Sequence, residues 1–433
     1  MTGILKAALL GVTALGTGSQ ALADVTVIHA GELLAVPGEA AKKNQTVVIE
    51  DGRIREVREG FVDAANFGDD ATLVDLKESF VMPGLMDMHV HIQGELGPRG
   101  DSEKLRMSAE DVGMRSVQFA HRTLMAGFTT VRDLGASSPQ HVFSLRKASA
   151  NGWVDAPRIV AAGSSVAATG GHGDVDGMRH DLLEKYTSKT ICDGGEDCLR
   201  AVRHAVKYGA DVIKITATGG VLSDTNTGTG QQMTDDELKT IMDAAHALGR
   251  KVAAHAHAAE GINAALRAGV DSIEHGSYAD AESIRLFKKG GAYLVPTLLA
   301  GATVVNMAKT SDFMPPDIKE KALRVGADLV SNFQRSYKAG VKIAYGTDSG
   351  VSKHGTNADE ALLMAKAGMP AMEILKTATV NAADLIGMSD SLGTIEAGKH
   401  ADIIAMHGNP INDLNELLDV DFVMKGGKTV KNK

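Results

Sequence analysis

The chain has 433 residues, with 45 Lys and Arg against 54 Asp and Glu, a formal net charge of −9. That length suits a barrel-sized catalytic domain joined to a smaller one. The acidity lacks the basic footprint of a nucleic-acid binder, and ordinary proportions of apolar (44%) and charged (23%) residues exclude a disordered chain.

Residues 1–23 read as a secretory signal peptide. Lys6 precedes the apolar run Ala7 to Gly16, and Ala21-Leu22-Ala23 supplies a small-x-small cleavage site before Asp24. The run is too short to span a bilayer as a mature helix, and no later segment is long and apolar enough to do so. An exported protein, periplasmic or secreted, with no membrane insertion of the mature chain is the expectation.

Residues 24–82 carry short strands, Val25 to Ile28, Thr46 to Ile49 and Ile54 to Val57, with the turn Asp51-Gly52-Arg53 before the last. The end of the chain, residues 392–433, has the same texture in Ala401 to Ala405 and Phe422 to Met424. Neither end is long enough for a sandwich of its own, so the two are expected to combine into one composite β-sandwich domain.

Between them, over residues 83–391, apolar strands alternate with amphipathic helices such as Asp235 to Leu248 and Gly261 to Ala268. The strand candidates are Leu85 to His89, Thr129 to Val131, Arg158 to Ala161, Asp211 to Ile215, Val252 to His255, Ser272 to His275, Tyr293 to Pro296 and Val341 to Tyr345. These βα units in series indicate an α/β fold, a (β/α)8 TIM barrel with a parallel sheet. Cys192 and Cys198, six positions apart around Asp-Gly-Gly, suit a local disulfide in an oxidising compartment. A metal pair is the weaker alternative, because no His or third Cys lies in register with them.

The unusual polar residues of this middle region fall at the C-terminal ends of the predicted strands, where the loops of such a barrel converge. His89 and His91 flank Val90, so strand alternation turns both imidazoles to the same side. A lone His-x-His is weak, since such pairs are common on surfaces. Lys214 interrupts the apolar strand Asp211 to Ile215, where a bare ammonium is strongly disfavoured. Either a buried carboxylate pairs with it, the commoner solution for a buried lysine in general, or its neutral amine takes up carbon dioxide to form a carbamate. The surrounding histidines favour the carbamate, which is an anionic ligand able to bridge two cations. His255 and His275 end the fifth and sixth strands, and Asp348 ends the eighth. Together these residues make two sites, one from His89, His91, Lys214 and Asp348, the other from Lys214, His255 and His275. Histidine and oxygen ligands with open positions fit zinc best among divalent ions.

The run Val81-Met82-Pro83-Gly84-Leu85-Met86-Asp87-Met88-His89-Val90-His91 resembles the opening motif of the amidohydrolase superfamily, and the ligand set resembles its binuclear subtype with a carboxylated lysine. The resemblance extends to the closing segment Leu392 to Asp402. Thr169-Gly170-Gly171-His172-Gly173-Asp174 and Thr216-Ala217-Thr218-Gly219-Gly220 resemble the branch of Xaa-Pro dipeptidases and imidazolonepropionase-like hydrolases, near the exported ochratoxin-hydrolysing amidohydrolases. The resemblance implies a symmetric homo-oligomer, with an octamer as one form it could take.

Two cations sharing a carbamate would hold a bridging water and bring its pKa towards neutrality. Asp348 would accept the proton of the attacking hydroxide and deliver it to the leaving amine. The expected substrate is a small-molecule amide or dipeptide, cleaved to release a C-terminal amino acid, N-acyl amino acids of the ochratoxin type included. His172, in a Gly-rich loop after the third strand, could donate to the substrate carbonyl. His257, on the same strand face as His255, is expected to reach the cavity without binding metal, and His354 is a further loop candidate for substrate contact. Tyr278 is a weaker rim candidate, while His121, His141, His204 and His246 lie in helical stretches. Two alternatives stand beside this reading: a lactonase or organophosphate-type esterase on the same metals, and an inactive barrel kept for binding, which would have lost ligands. A mononuclear deaminase would leave Lys214 without a purpose.

Overall fold

The computed structural model describes residues 25–136, 138–223 and 228–433. The expectation of a signal peptide over residues 1–23 falls outside them. Four strands open the described chain: β1 (Val25–Leu33), β2 (Lys42–Glu50), β3 (Arg53–Glu59) and β4 (Thr72–Pro83). Only Gly84 separates β4 from β5 (Leu85–Val90), which begins a parallel array. The array continues with β6 (Phe128–Asp133), β7 (Arg158–Ala161), β8 (Val212–Thr216), β9 (Lys251–Ala256), β10 (Ser272–His275), β11 (Tyr293–Val295) and β12 (Lys342–Ile343). The last strands are β13 (Ile403–Met406), β14 (Phe422–Lys425) and β15 (Lys428–Asn432).

Both ends of the chain pair in one seven-stranded sheet, in the order β15-β14-β13-β4-β1-β2-β3. The long strand β4 is the joint, since β1 runs parallel to it and β13 antiparallel through Ile403↔Pro83 to Met406↔Phe80. A two-sheet sandwich was the expectation; the described residues form a single sheet instead. That sheet curls back on itself. Ile54 N donates to Lys399 O at 2.8 Å and Ala401 N to Gly52 O at 3.0 Å, which brings the β2–β3 turn onto the segment leading into β13. The enclosed core draws Ile28, Val47, Ile49 and Ile54 from one end and Ile403, Phe422 and Met424 from the other. A curled sheet buries one face as a sandwich does, without a second sheet.

The array falls into a three-stranded group, β5-β6-β7, and a five-stranded group, β8 to β12, both parallel. Hydrogen bonds cross both gaps. Asp211 N donates to Ala161 O and Val166 N to Lys214 O, each at 2.8 Å, while Met88 N reaches Tyr345 O at 2.8 Å and Asp348 N reaches His89 O at 2.7 Å. Strands β5, β6 and β8 are buried along their whole length, as parallel strands covered on both faces should be. Helices fill the intervals, and several start on reciprocal side-chain caps. Thr234 with Glu237 is one such capping box, at the helix Asp235–Ala247. Among the described residues, no helix is long and apolar enough to cross a membrane.

Candidate metal centre and active site

A cavity of about 300 Å³ opens at the C-terminal ends of the parallel strands. His89, His91, Lys214, His255, His275 and Asp348, the residues expected to hold metal, all line it, together with His172 and His257. Two groups have ligand atoms close enough for one ion each: His89, His91 and Asp348, and His255, His257 and His275. They adjoin one another, for the His89 and His275 rings are 5.2 Å apart between centroids. His257 therefore stands closer to the second ligand group than its expected substrate role required.

Each imidazole is aimed by a partner on its far nitrogen. His89 Nδ1 lies 2.9 Å from Glu274 Oε2, His91 Nδ1 2.9 Å from Gly135 O, and His275 Nδ1 2.6 Å from Thr297 Oγ1. His257 Nδ1 is 2.7 Å from Ser277 Oγ, and His172 Nδ1 is 2.5 Å from Ser223 Oγ. In every one of these, Nε2 is the nitrogen left for a ligand. His255 is reversed, with Nε2 3.4 Å from Gly219 O and Nδ1 left over. Such outer partners fix tautomer and ring orientation in histidine metal sites.

The backbone contributes as well. His275 (φ 70°) and Asp348 (φ 56°) both sit in the left-handed region, as does Thr297 (φ 51°). Each such non-glycine residue costs about 1–3 kcal/mol, a strain that tertiary structure sustains where side-chain aim matters. Glu360 helps hold one of these turns, its carboxylate accepting from Leu298 N at 2.9 Å and Leu299 N at 2.6 Å.

Burial governs the electrostatics. It pushes His89 and His257 down to about 4 and His172 to about 3, and holds His255 and His275 well below the usual imidazole value. His91 goes the other way, because Asp348 beside it outweighs burial. Burial also brings Lys214 down to about 8. Glu274 and Asp348 act on that ammonium through space, but no ion pair to it forms among the described residues. Of the two solutions open to a buried lysine, the paired one is thus missing. Asp348 Oδ1 is buried without a hydrogen-bond partner, although His91 Nε2 lies 3.2 Å away. Imidazoles held neutral by burial at His89, His255, His257 and His275, an unpaired lysine and an orphaned carboxylate oxygen make a donor set that fits divalent cations.

His172 lies over His255, ring centroids 4.1 Å apart. Its other side rests on Gly220, where a Cβ would sit 2.3 Å from His172 Cε1, so the Thr-Gly-Gly run is what lets the ring in. His354 does not reach the cavity. It stacks on Phe119 at 4.9 Å, with Nε2 3.0 Å from Gly94 O and Nδ1 buried without a hydrogen-bond partner. Tyr278 packs against an apolar cluster that includes Val304 and Val325.

Sequence reasoning passed over Arg132 and Glu274. Arg132 donates from Nη2 to Glu274 Oε1 at 2.9 Å, from Nε to Met88 O at 2.7 Å and from Nη1 to Ser272 Oγ at 3.1 Å, all fully buried. The signal was partial, because Glu274 lies inside the strand candidate Ser272 to His275 whereas Arg132 falls one residue beyond Thr129 to Val131.

The sequence profile of the amidohydrolase family matches residues 80–430. The chain belongs to that family. Ochratoxinase from Aspergillus niger is 32% identical over 428 residues, covering 94% of this chain and 87% of the relative. Among solved structures, a Xaa-Pro dipeptidase with methionine bound in its active site is 40% identical, with a TM-score of 0.89, covering 94% of this chain and all of that one. A prolidase complexed with N-methylphosphonate-L-proline is 31% identical at a TM-score of 0.84, with 94% and 100% covered. This amidohydrolase is accordingly a hydrolase of the amide- and peptide-cleaving kind, consistent with dependence on a divalent metal.

Proposed function

We propose that this amidohydrolase cleaves a small amide or dipeptide to release a C-terminal amino acid, using two divalent cations, zinc fitting best, at the mouth of a (β/α)8 barrel. The observation that carries the reading is the convergence of two ligand triads and an unpaired buried lysine in one cavity. His89, His91 and Asp348 would hold one ion, and His255 and His275 the other. Lys214, as a carbamate formed from its neutral amine and carbon dioxide with release of a proton, would serve both. When bound, the ions supply an activated water and polarise the scissile carbonyl.

The chain's own residues do the rest. Asp348 takes the proton from the attacking water at its carboxylate and returns it to the leaving nitrogen, which an amine needs before it departs. His172, aimed by Ser223, donates from Nε2 to the carbonyl oxygen. Glu274 keeps the His89 proton on Nδ1. Cleavage of a dipeptide also agrees with the names of the Xaa-Pro dipeptidase and the prolidase among the similar structures. Export of the chain is part of the proposal. Its support is the leader-like start of the sequence and the bonded pair Cys192–Cys198, a linkage suited to an oxidising compartment.

The test is elemental analysis of the purified protein together with assays on N-acyl amino acids, dipeptides and lactones. Two ions per chain and release of amino acid from amides at rates well above lactone opening are expected. One ion per chain would overturn the binuclear site, and lactone opening as the dominant activity would overturn the amide assignment.

A further inference from the structure

Besides the candidate metal ligands, the cavity is lined by two helices that follow β11, Leu298–Thr310 and Pro316–Lys338. Each contributes the same spacing of small and apolar residues. Ala300, Gly301 and Val304 come from the first, and Val325, Gly326 and Leu329 from the second. Positions i and i+4 stack on one helix face and i+1 lies beside them, and all three of each triplet line the cavity as one strip.

The glycines set the spacing of this wall. A Cβ at Gly301 would lie 2.6 Å from Leu329 Cδ2, and one at Gly326 would lie 2.2 Å from Val305 Cγ2. Without them the helices could not approach as closely as they do. Val304, Val325 and Leu329 are buried even though they border the opening. Apart from the groups assigned to the metal centre, the described lining holds no charged side chain. A charged substituent placed against these strips would lose its water and find no partner, whereas an apolar one would gain burial.

We infer that the strips Ala300-Gly301-Val304 and Val325-Gly326-Leu329 form a specificity subsite for an uncharged, apolar group on one half of the substrate. This deepens the proposed function and rests on it. Val304 and Val325 are then specificity-determining residues, since they face that group from both helices.

The test uses the metal-loaded protein and a matrix of N-acyl amino acids. Each half carries in turn an aliphatic or aromatic, an acidic, or a basic group. In one half, kcat/KM for apolar groups is expected to exceed that for either charge by about 100-fold. Val304→Asp should shrink that preference below about 10-fold, with metal content and thermal unfolding reporting whether the variant is folded. Val304→Thr, nearly the same shape, should lower the apolar substrates alone by several-fold and covers the case in which the aspartate variant does not fold. Charged groups accepted in both halves within about threefold of apolar ones would overturn the subsite. If no amide in the matrix is cleaved, the proposed reaction falls, and the subsite is then decided by equilibrium binding of the same compounds. Preference for apolar members supports it, and lack of preference overturns it.

Discussion

Arg132 on β6 and Lys214 on β8 are both cations enclosed in the same parallel array, and the protein treats them in opposite ways. Arg132 spends its donors on Glu274, Ser272 and the Met88 carbonyl, so its charge is matched inside the fold. Lys214 has no ion pair among the described residues, and burial draws its amine towards neutrality. The first arrangement is structural, the second chemical. A buried guanidinium cannot shed its proton and must be paired; a buried amine can, and becomes available for reaction. Lys214→Ala should therefore cost activity by roughly 10³-fold, the order seen when a group acting on transition-state charge is lost. Stability should change little, because no partner is left unpaired. Added short carboxylic acids that restore part of the rate would mark the missing group as an anion; a variant with full activity would end the carbamate reading.

Arg132→Met inverts the pattern. It strands Glu274 as an uncompensated buried carboxylate, at a cost of about 3–5 kcal/mol in unfolding free energy. Chemical denaturation of the metal-free protein measures it. Arg132→Met combined with Glu274→Leu should recover most of that loss, since an apolar pair of similar volume is tolerated. The metal affinity should stay lower by about 10–100-fold, because His89 Nδ1 has then lost its acceptor. Full recovery of metal binding in the double variant would separate Glu274 from the centre.

The two cations also show what the sequence makes legible. Every strand of the parallel array was visible, because strands covered on both faces are written as short apolar runs. The residues that line the cavity were visible because polar groups at the ends of such runs stand out. The outer partners were harder. Thr297, Ser277 and Ser223 are common residue types in loops, and only the fold brings their hydroxyls to His275, His257 and His172. Arg132 lay just past the apparent end of its strand, which runs on to Asp133. His354 shows the reverse error, because a histidine beside a site in sequence need not face it. The single curled sheet escaped for a different reason. Alternation says which residues turn inward, and says nothing about whether the opposing face belongs to another sheet or to the same one.

Lys321 extends the comparison to a cation held by a carbonyl, with the exposed Asp317 carboxylate 3.9 Å away. Its Nζ donates to Ser223 O at 2.6 Å, and the Ser223 hydroxyl meets His172 Nδ1. The helix that carries the apolar wall is thus tied to the histidine over the metal centre. Lys321→Met should lower kcat by about 10-fold through misplacement of a hydrogen-bond donor, while metal content and KM stay near wild type. Lys321→Arg should restore part of it. A change in KM alone would mean that Lys321 merely holds the wall.

Lys425 is the mildest member of the series. It leaves β14 to donate to Ser149 Oγ and Ala156 O, both at 2.7 Å, linking the curled sheet to the array through neutral acceptors only. Burial, with Arg158 nearby, brings its amine down to about 8 from 10.5. The folded state then holds its proton less tightly than the unfolded chain does. Between pH 8 and 10.5 the unfolded state binds more protons, so stability should rise with pH across that window relative to Lys425→Met. The group is partly solvated, which limits the gain to about 1 kcal/mol. Denaturant midpoints of the two proteins at pH 7.5 and 10 give the difference, and a gap that stays constant or runs the other way would mean that neutral acceptors satisfy a buried ammonium as fully as Glu274 satisfies Arg132.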